Sequence, residues 1–300
     1  MKVVNEEKLF KVALEIVKRS CTGIAPDAME LLKRAYISER NKAAKKLLEA
    51  MIRNVELAME TNRPVCQSPG YPVVYVVLGG DIKIEADIQK VFQRAIVKLT
   101  KEGYLRPSIV HPITRKNSGD NSGIGVPDVE IEYRPDADYV DFIVSFKGCG
   151  AELANISKVL TPAQVGKNGV GIKKLILKAV IDAGGVPCPP VAIGIGIGGQ
   201  MHYAAKLSRK AISIRKWTDN NPKPELAKLE KELLTYVNLL GIGPAGIGGD
   251  TTALTVKVEM VSTHTAICPV AINFHCWVAR RSGIRIYSDG SFTYLYERNH

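Results

Sequence analysis

Gly184-Gly185-Val186-Pro187-Cys188-Pro189-Pro190 runs straight into Val191-Ala192-Ile193-Gly194-Ile195-Gly196-Ile197-Gly198-Gly199. The cysteine stands between prolines, so its backbone is stiff and a neighbouring amide donor is missing. Four of the nine residues that follow are glycines, and backbone without a Cβ lets another group come close. Residues 191–197 form an apolar run of strand length, set between helical patterns over 171–183 and 201–212. Helix, loop, strand and helix in that order read as a mixed α/β chain. A rigid thiol beside open backbone suggests a prosthetic group bound next to an anion.

Upstream, residues 6–61 read as helix with two interruptions. Leu9, Val12, Ala13, Ile16 and Val17 make one apolar stripe. Gly23 breaks it, Pro26-Asp27 opens a second helix, and a third runs through Leu47, Leu48, Met51 and Ile52 to Met59. Residues 73–78 are β-branched and aromatic between glycines, and read as a strand. An amphipathic helix is expected over 87–99. Residues 106–127 are polar, rich in turn formers and aperiodic; so long a loop inside a compact domain is usually functional or disordered. Strands are expected over 129–133 and 140–146, the second ending at Lys147-Gly148-Cys149-Gly150, with a helix from Glu152 onward.

Downstream, 217–224 reads as a linker and 225–240 as a helix. Residues 241–252 form a second Gly-rich turn before a strand over 254–261. The apolar stretch 266–278 fits helix and strand equally. A hairpin closes the chain over 284–287 and 291–296 around Asp289-Gly290.

The 300 residues can bury a large core. A charged fraction of 24% in an ordinary apolar background argues against disorder. No apolar run has the length and purity of a membrane span, and the N-terminus lacks the apolar core of a signal peptide. A cytoplasmic protein with no membrane partner is therefore expected. The net charge of +11 is compatible with nucleic acid, an anionic substrate or an acidic partner subunit. Basic residues are dispersed and aromatics are only 6%, so nucleic acid is not expected as a partner.

The six cysteines, Cys21, Cys66, Cys149, Cys188, Cys268 and Cys276, form no CxxC pair. Singly, each reads more readily as a small buried hydrophobe than as a ligand. Cys66 and Cys188, however, share a placement near prolines just before a strand, as thiolates of a cluster site would. The Gly-rich turns lack the acidic residue of a dinucleotide site and the lysine of a phosphate loop. They are either tight turns in a packed fold or backbone donors to a carboxylate. His264 is a core histidine or a proton donor to substrate. Arg106 is a surface residue or a carboxylate clamp. Arg280-Arg281 is a solvated pair or a second anion contact.

Taken together, five segments resemble the α-type catalytic subunit of the iron–sulfur hydro-lyases, class I fumarate hydratase and L(+)-tartrate dehydratase. They are Asn62-Arg63-Pro64-Val65-Cys66-Gln67, Leu105-Arg106-Pro107, Gly184 to Gly199, Gly241 to Leu254, and His264 through Cys276 to Arg281. The resemblance covers nearly the whole chain. It implies one α-type domain over 1–300, with a helical N-terminal layer of residues 1–62 packed on a cluster-binding, mixed-sheet core of 63–300. It also implies a 4Fe–4S cluster held by Cys66, Cys188 and Cys276, with one iron lacking a protein ligand. Gln67, Arg106, His264 and the turn at Cys149 and Gly150 match substrate-binding positions, with His264 also catalytic. Cys21 and Cys268 match no assigned role.

Two positions depart from the family pattern. Cys66-Gln67 is followed by Ser68 where an aspartate thought to act in proton transfer is usual, so Ser68 occupies a catalytic and substrate-binding position without its acid. The turn at Cys149 lacks the family's usual serine and asparagine. The family's β-type part supplies further arginine, lysine and threonine groups, including the base. No counterpart is read in these 300 residues, so the expectation is one subunit of an α2β2 assembly, inactive alone. Interconversion of fumarate and (S)-malate is the leading expectation, because Gly249 to Leu254 looks closer to the fumarases. L(+)-tartrate dehydration is the alternative, and a non-catalytic iron–sulfur sensor the alternative of a different class.

Overall fold

The computed structural model describes residues 2–296. In chain order the elements are β1 (Lys2–Asn5), α1 (Glu6–Thr22), α2 (Pro26–Ser38), α3 (Lys42–Thr61), β2 (Tyr71–Gly79), β3 (Ile82–Glu85), α4 (Ile88–Lys101), β4 (Asp128–Arg134), β5 (Tyr139–Lys147), α5 (Cys149–Leu153), β6 (Ile156–Leu160), α6 (Pro162–Val165), α7 (Val170–Ala183), β7 (Val191–Gly199), α8 (Met201–Ser213), α9 (Pro224–Leu239), β8 (Ala253–Thr263), β9 (Cys268–His275), β10 (Arg280–Tyr287) and β11 (Phe292–Leu295).

The mixed α/β class is what the sequence pattern leads one to expect. Two details differ and one open alternative is resolved. The short β1 and β3 pair in parallel, too brief a pattern to read from apolar spacing. The helix expected from Glu152 stops after one turn at Leu153. Asn155 then accepts a bond on its Oδ1 from the Phe274 amide at 2.9 Å, and the chain turns into β6 beside β9. Residues 266–278 settle as the strand β9, because β6 and β7 flank it and take its backbone groups.

The chain divides into two compact units. The first comprises 2–26, 54–147 and 278–296, the second 27–53 and 148–277. The boundary falls inside α3, so the helices of residues 1–62 are shared between the units.

The first unit holds a five-stranded sheet in the order β11-β10-β5-β2-β4. All its pairs are antiparallel except β2 with β4. A period of two puts Val74, Val76, Phe142, Val144, Ile284 and Ile286 in one buried cluster with the apolar stripes of α1 and α4. Both helices start on side-chain caps: Asn5 accepts from the Lys8 amide and Asp87 from the Lys90 amide.

The second unit holds a four-stranded sheet, β6-β9-β7-β8, in which β7 and β8 are parallel and the other pairs antiparallel. The glycines of β7 explain how its helix packs. A Cβ on Gly194 would stand 2.0 Å from the Ser208 carbonyl oxygen, and one on Gly196 the same distance from that of Ala204. Two residues along a strand and four along a helix match in length, so α8 lies with its backbone directly on β7. This corrects the expectation that these glycines open backbone toward an anion or a prosthetic group. At Gly194 and Gly196 the close neighbour is the protein's own helix.

Candidate active site

In the second unit the loops bearing Cys149, Cys188 and Cys276 gather at one end of the sheet. That end carries the start of β6, β7 and β8 and the finish of β9, as the pairings Val191 with Ala253 and Ala192 with His275 require. Cys188 is exposed and adopts a left-handed φ of 56°. For a residue with a Cβ this costs on the order of 1–2 kcal/mol, and such residues cluster at functional sites.

The surrounding backbone holds that conformation from several sides. The Cys188 amide donates to the Gly185 carbonyl at 3.1 Å, and the Ala245 amide, in the second Gly-rich turn, donates to the Pro189 carbonyl at 2.8 Å. The Val191 amide donates to the Thr252 carbonyl at 3.0 Å. The Trp277 amide donates to the Cys188 carbonyl at 3.5 Å, which ties the Cys276 strand end to the Cys188 loop. Gly150 completes the group: a Cβ there would meet the Val186 carbonyl oxygen at 2.3 Å, so only glycine lets the Cys149 turn lie against the Cys188 loop. Cys149 is exposed and Cys276 buried.

Cys66 belongs to the first unit and is half-buried. Its loop hangs on Val65, whose amide donates to the Cys21 carbonyl at 3.0 Å and whose carbonyl accepts from Asn54 Nδ2 at 2.9 Å. The Cys66 carbonyl accepts from Arg280 Nη2 at 3.4 Å. Cys21, without an assignable role in the sequence, is therefore the anchor of this loop. Burial pushes its thiol up to about 11, against an opposing pull from the Arg280 charge, so it stays neutral at ordinary pH. Gln67 is exposed and Ser68 half-buried on the same loop. Arg106 is exposed, and its carbonyl accepts from Asn121 Nδ2 at 3.0 Å. Asn121 also takes the Ser108 and Ile109 amides on its Oδ1, which orders the start of the long loop.

His264 lies elsewhere. It follows β8, whose far end pairs Thr263 with Gly199, while Cys188 precedes the near end of β7. At about 3.3 Å per residue the two ends are roughly 25 Å apart, so a substrate held at Cys188 is out of reach of the same chain's His264. The imidazole is exposed, and its Nδ1 accepts from the Ala266 amide at 3.2 Å, which leaves the proton of the neutral ring on Nε2. Cys268, at the start of β9, shares that far end and is half-buried in the sheet.

None of the six cysteines forms a disulfide. Among the described residues no group of three Cys, His, Asp or Glu is tight enough to hold a single metal ion. An iron–sulfur cluster is a larger object whose cysteine ligands stand further apart, and soft thiolates on rigid turns are its characteristic donors. Cys188, exposed on a backbone pinned at each side, fits that requirement. So does the buried cation beside Cys66: Arg280 is 2% exposed. Sequence reasoning left Arg280-Arg281 open between a solvated pair and an anion contact. Both are buried, and Arg281 stacks over the Tyr296 ring at 4.7 Å, so the solvated reading fails. Only the burial of β10 distinguishes them from a surface pair.

The profile of the fumarate hydratase (Fumerase) family matches residues 11–285, and the chain belongs to that family. It is 39% identical to a Methanocaldococcus jannaschii protein bearing a provisional L(+)-tartrate dehydratase subunit alpha name, over 94% of this chain and 99% of that one. It is 31% identical to the L(+)-tartrate dehydratase subunit alpha of Escherichia coli strain K12, over 96% of this chain and 94% of that one.

Proposed function

We propose that this chain is the α-type subunit of a hydro-lyase that removes water from, and returns it to, a small hydroxy-dicarboxylate. Family membership supports the reaction class, and relatives named as alpha subunits support a β-type partner subunit. The observation that carries the site is the gathering of the Cys149, Cys188 and Cys276 loops at one end of one sheet, locked backbone to backbone. The Gly249 to Leu254 segment favours the fumarate and (S)-malate pair. The names of the relatives put L(+)-tartrate level with it.

In this reading Cys66, Cys188 and Cys276 would hold a 4Fe–4S cluster with one iron free of protein ligands. Such a group, when bound, supplies a Lewis acid that makes hydroxide a tolerable leaving group. The chain's own residues do the rest. Arg106 offers a guanidinium fork to a substrate carboxylate, Gln67 an amide, and the turn at Cys149 and Gly150 its exposed edge. Ser68 contributes a hydroxyl that orients but does not ionise near neutral pH, so the proton-abstracting base is assigned to the β subunit. His264 takes no step at the same chain's Cys188 end. The setting is cytoplasmic, in an α2β2 assembly; among the described residues no helix is long and apolar enough to cross a membrane.

The test is anaerobic reconstitution of the chain alone and with a β-type subunit, then assay against malate, L(+)-tartrate and methylated malates. Turnover by the pair and not by the single chain is expected. A fully loaded pair that turns over no hydroxy acid would replace the enzyme reading with that of an iron–sulfur sensor.

A further inference from the structure

Arg280 opens β10, where it pairs with Phe146 of β5. Its side chain is one of the largest fully buried in the protein. Among the described residues no carboxylate forms an ion pair with it, and its side-chain hydrogen bond goes to the Cys66 carbonyl at 3.4 Å. Two half-buried arginines behave differently. Arg215 meets Asp219, Glu230 and Glu259, and Arg285 holds Asp141 through both carboxylate oxygens. A buried cation without a counter-ion is strongly disfavoured. It persists where a negative charge arrives from a group the polypeptide does not supply as a carboxylate. The hydrogen-bond partner of Arg280, the Cys66 carbonyl, indicates where.

We propose that Arg280 is a positioning residue of the Cys66 limb: it fixes the Cys66 backbone by its hydrogen bond and supplies the buried positive charge that offsets the thiolate, and the anionic cluster, at Cys66. This rests on the cluster reading of the preceding section. Outer contacts of this kind orient ligands and tune the metal, and their loss typically weakens metal binding about 10–100-fold.

The experiment compares wild type, Arg280→Lys, Arg280→Gln and Arg280→Met, each reconstituted anaerobically with its β-type partner. The readouts are iron and sulfide content, the rate of iron loss to a chelator, the cluster's reduction potential, and the melting temperature of the cluster-free protein. The neutral variants are expected to lose iron about 10–100-fold faster, and their potentials to move negative because a nearby positive charge is gone. Arg280→Lys keeps the charge and should hold the potential near wild type while losing iron faster, since it lacks the fork that reaches the carbonyl. Neutral variants that match wild type in both readouts would overturn the proposal. So would a lysine variant whose potential moves as far as theirs, which marks a packing role. Should the neutral variants not fold, the lysine variant decides alone: wild-type iron loss together with an unshifted potential refutes the positioning role. A wild-type chain that takes up no cluster refutes the underlying reading, a separate and recognisable result.

Discussion

Cys188 and Cys66 both sit near prolines and both precede a strand, yet they are held in different ways. The Cys188 loop is bound by backbone to backbone: its own turn, the second Gly-rich turn, the start of β8 and the end of β9 all meet it. It carries a left-handed residue as a result. The Cys66 loop has no positive φ at its cysteine; a single backbone bond ties Val65 to Cys21, and side chains do the rest, with Asn54 and Arg280 reaching in from α3 and β10. Backbone locking tolerates little change around the loop, whereas side-chain anchoring can be tuned one residue at a time. The first suits a ligand whose position is built into the fold, the second a limb whose electrostatics are adjustable.

The largest effect that tests this comparison is loss of a thiol. Cys66→Ala and Cys188→Ala should each abolish the 4Fe–4S absorption and bring turnover to background, measured by iron and sulfide content and by assay. Full cluster content in either variant would remove that residue from the ligand set. Next comes the packing behind the Cys188 loop. Gly194→Ala drives a Cβ into the Ser208 carbonyl and should cost about 3 kcal/mol or more. Gly103→Ala meets open space at a φ of +84° and should cost only about 1 kcal/mol. Denaturant unfolding of both would reverse the comparison if the order were inverted.

The anchor of the Cys66 loop gives a pH signature. Below pH 9 the Cys21 thiol is protonated folded and unfolded. Between 9.0 and about 11 only the unfolded chain ionises it, so stability falls as pH rises, by on the order of 2–3 kcal/mol. In cluster-free protein Cys21→Ala should remove that fall, and an unchanged alkaline loss in the variant would discount the buried thiol. The smallest effect concerns the strain at Cys188. Cys188→Gly should leave the cluster-free protein about 1 kcal/mol more stable than Cys188→Ala. Cys66→Gly should gain nothing over Cys66→Ala. Equal responses at the two positions would dissolve the distinction between the loops.

The placement of the candidate site is unusual for a parallel strand pair. In open α/β sheets ligands generally bind beyond the carboxyl ends of the strands. Here the cysteine loops of the second unit lie at the amino ends of β7 and β8. The carboxyl end of the pair carries His264 instead, about one strand length away.

Helices and strands were legible wherever a face had to be apolar. The stripe of α1, the alternation of β8 and the proline and glycine punctuation of β7 all follow from local chemistry. Residues 266–278 were not, because a strand buried on both faces has no period that separates it from a helix. The cysteines at 66, 188 and 276 are singled out by motif resemblance alone. Arg280 was not, since a pair of adjacent arginines looks the same on a surface as in a core.

By itself, then, the sequence determined most of the longer elements and their order, the α/β class and the rigid thiol at Cys188, since these depend on residues close together in the chain. Tertiary structure decided what those residues meet. The glycines of β7 receive α8, Cys21 anchors the loop of Cys66, Arg280 brings a buried charge beside it, and His264 stands a strand length from Cys188. Apart from β7 and α8, which adjoin in the chain, each is a contact or a separation between segments far apart in sequence, and all are set by strand register and helix packing, which no local pattern encodes.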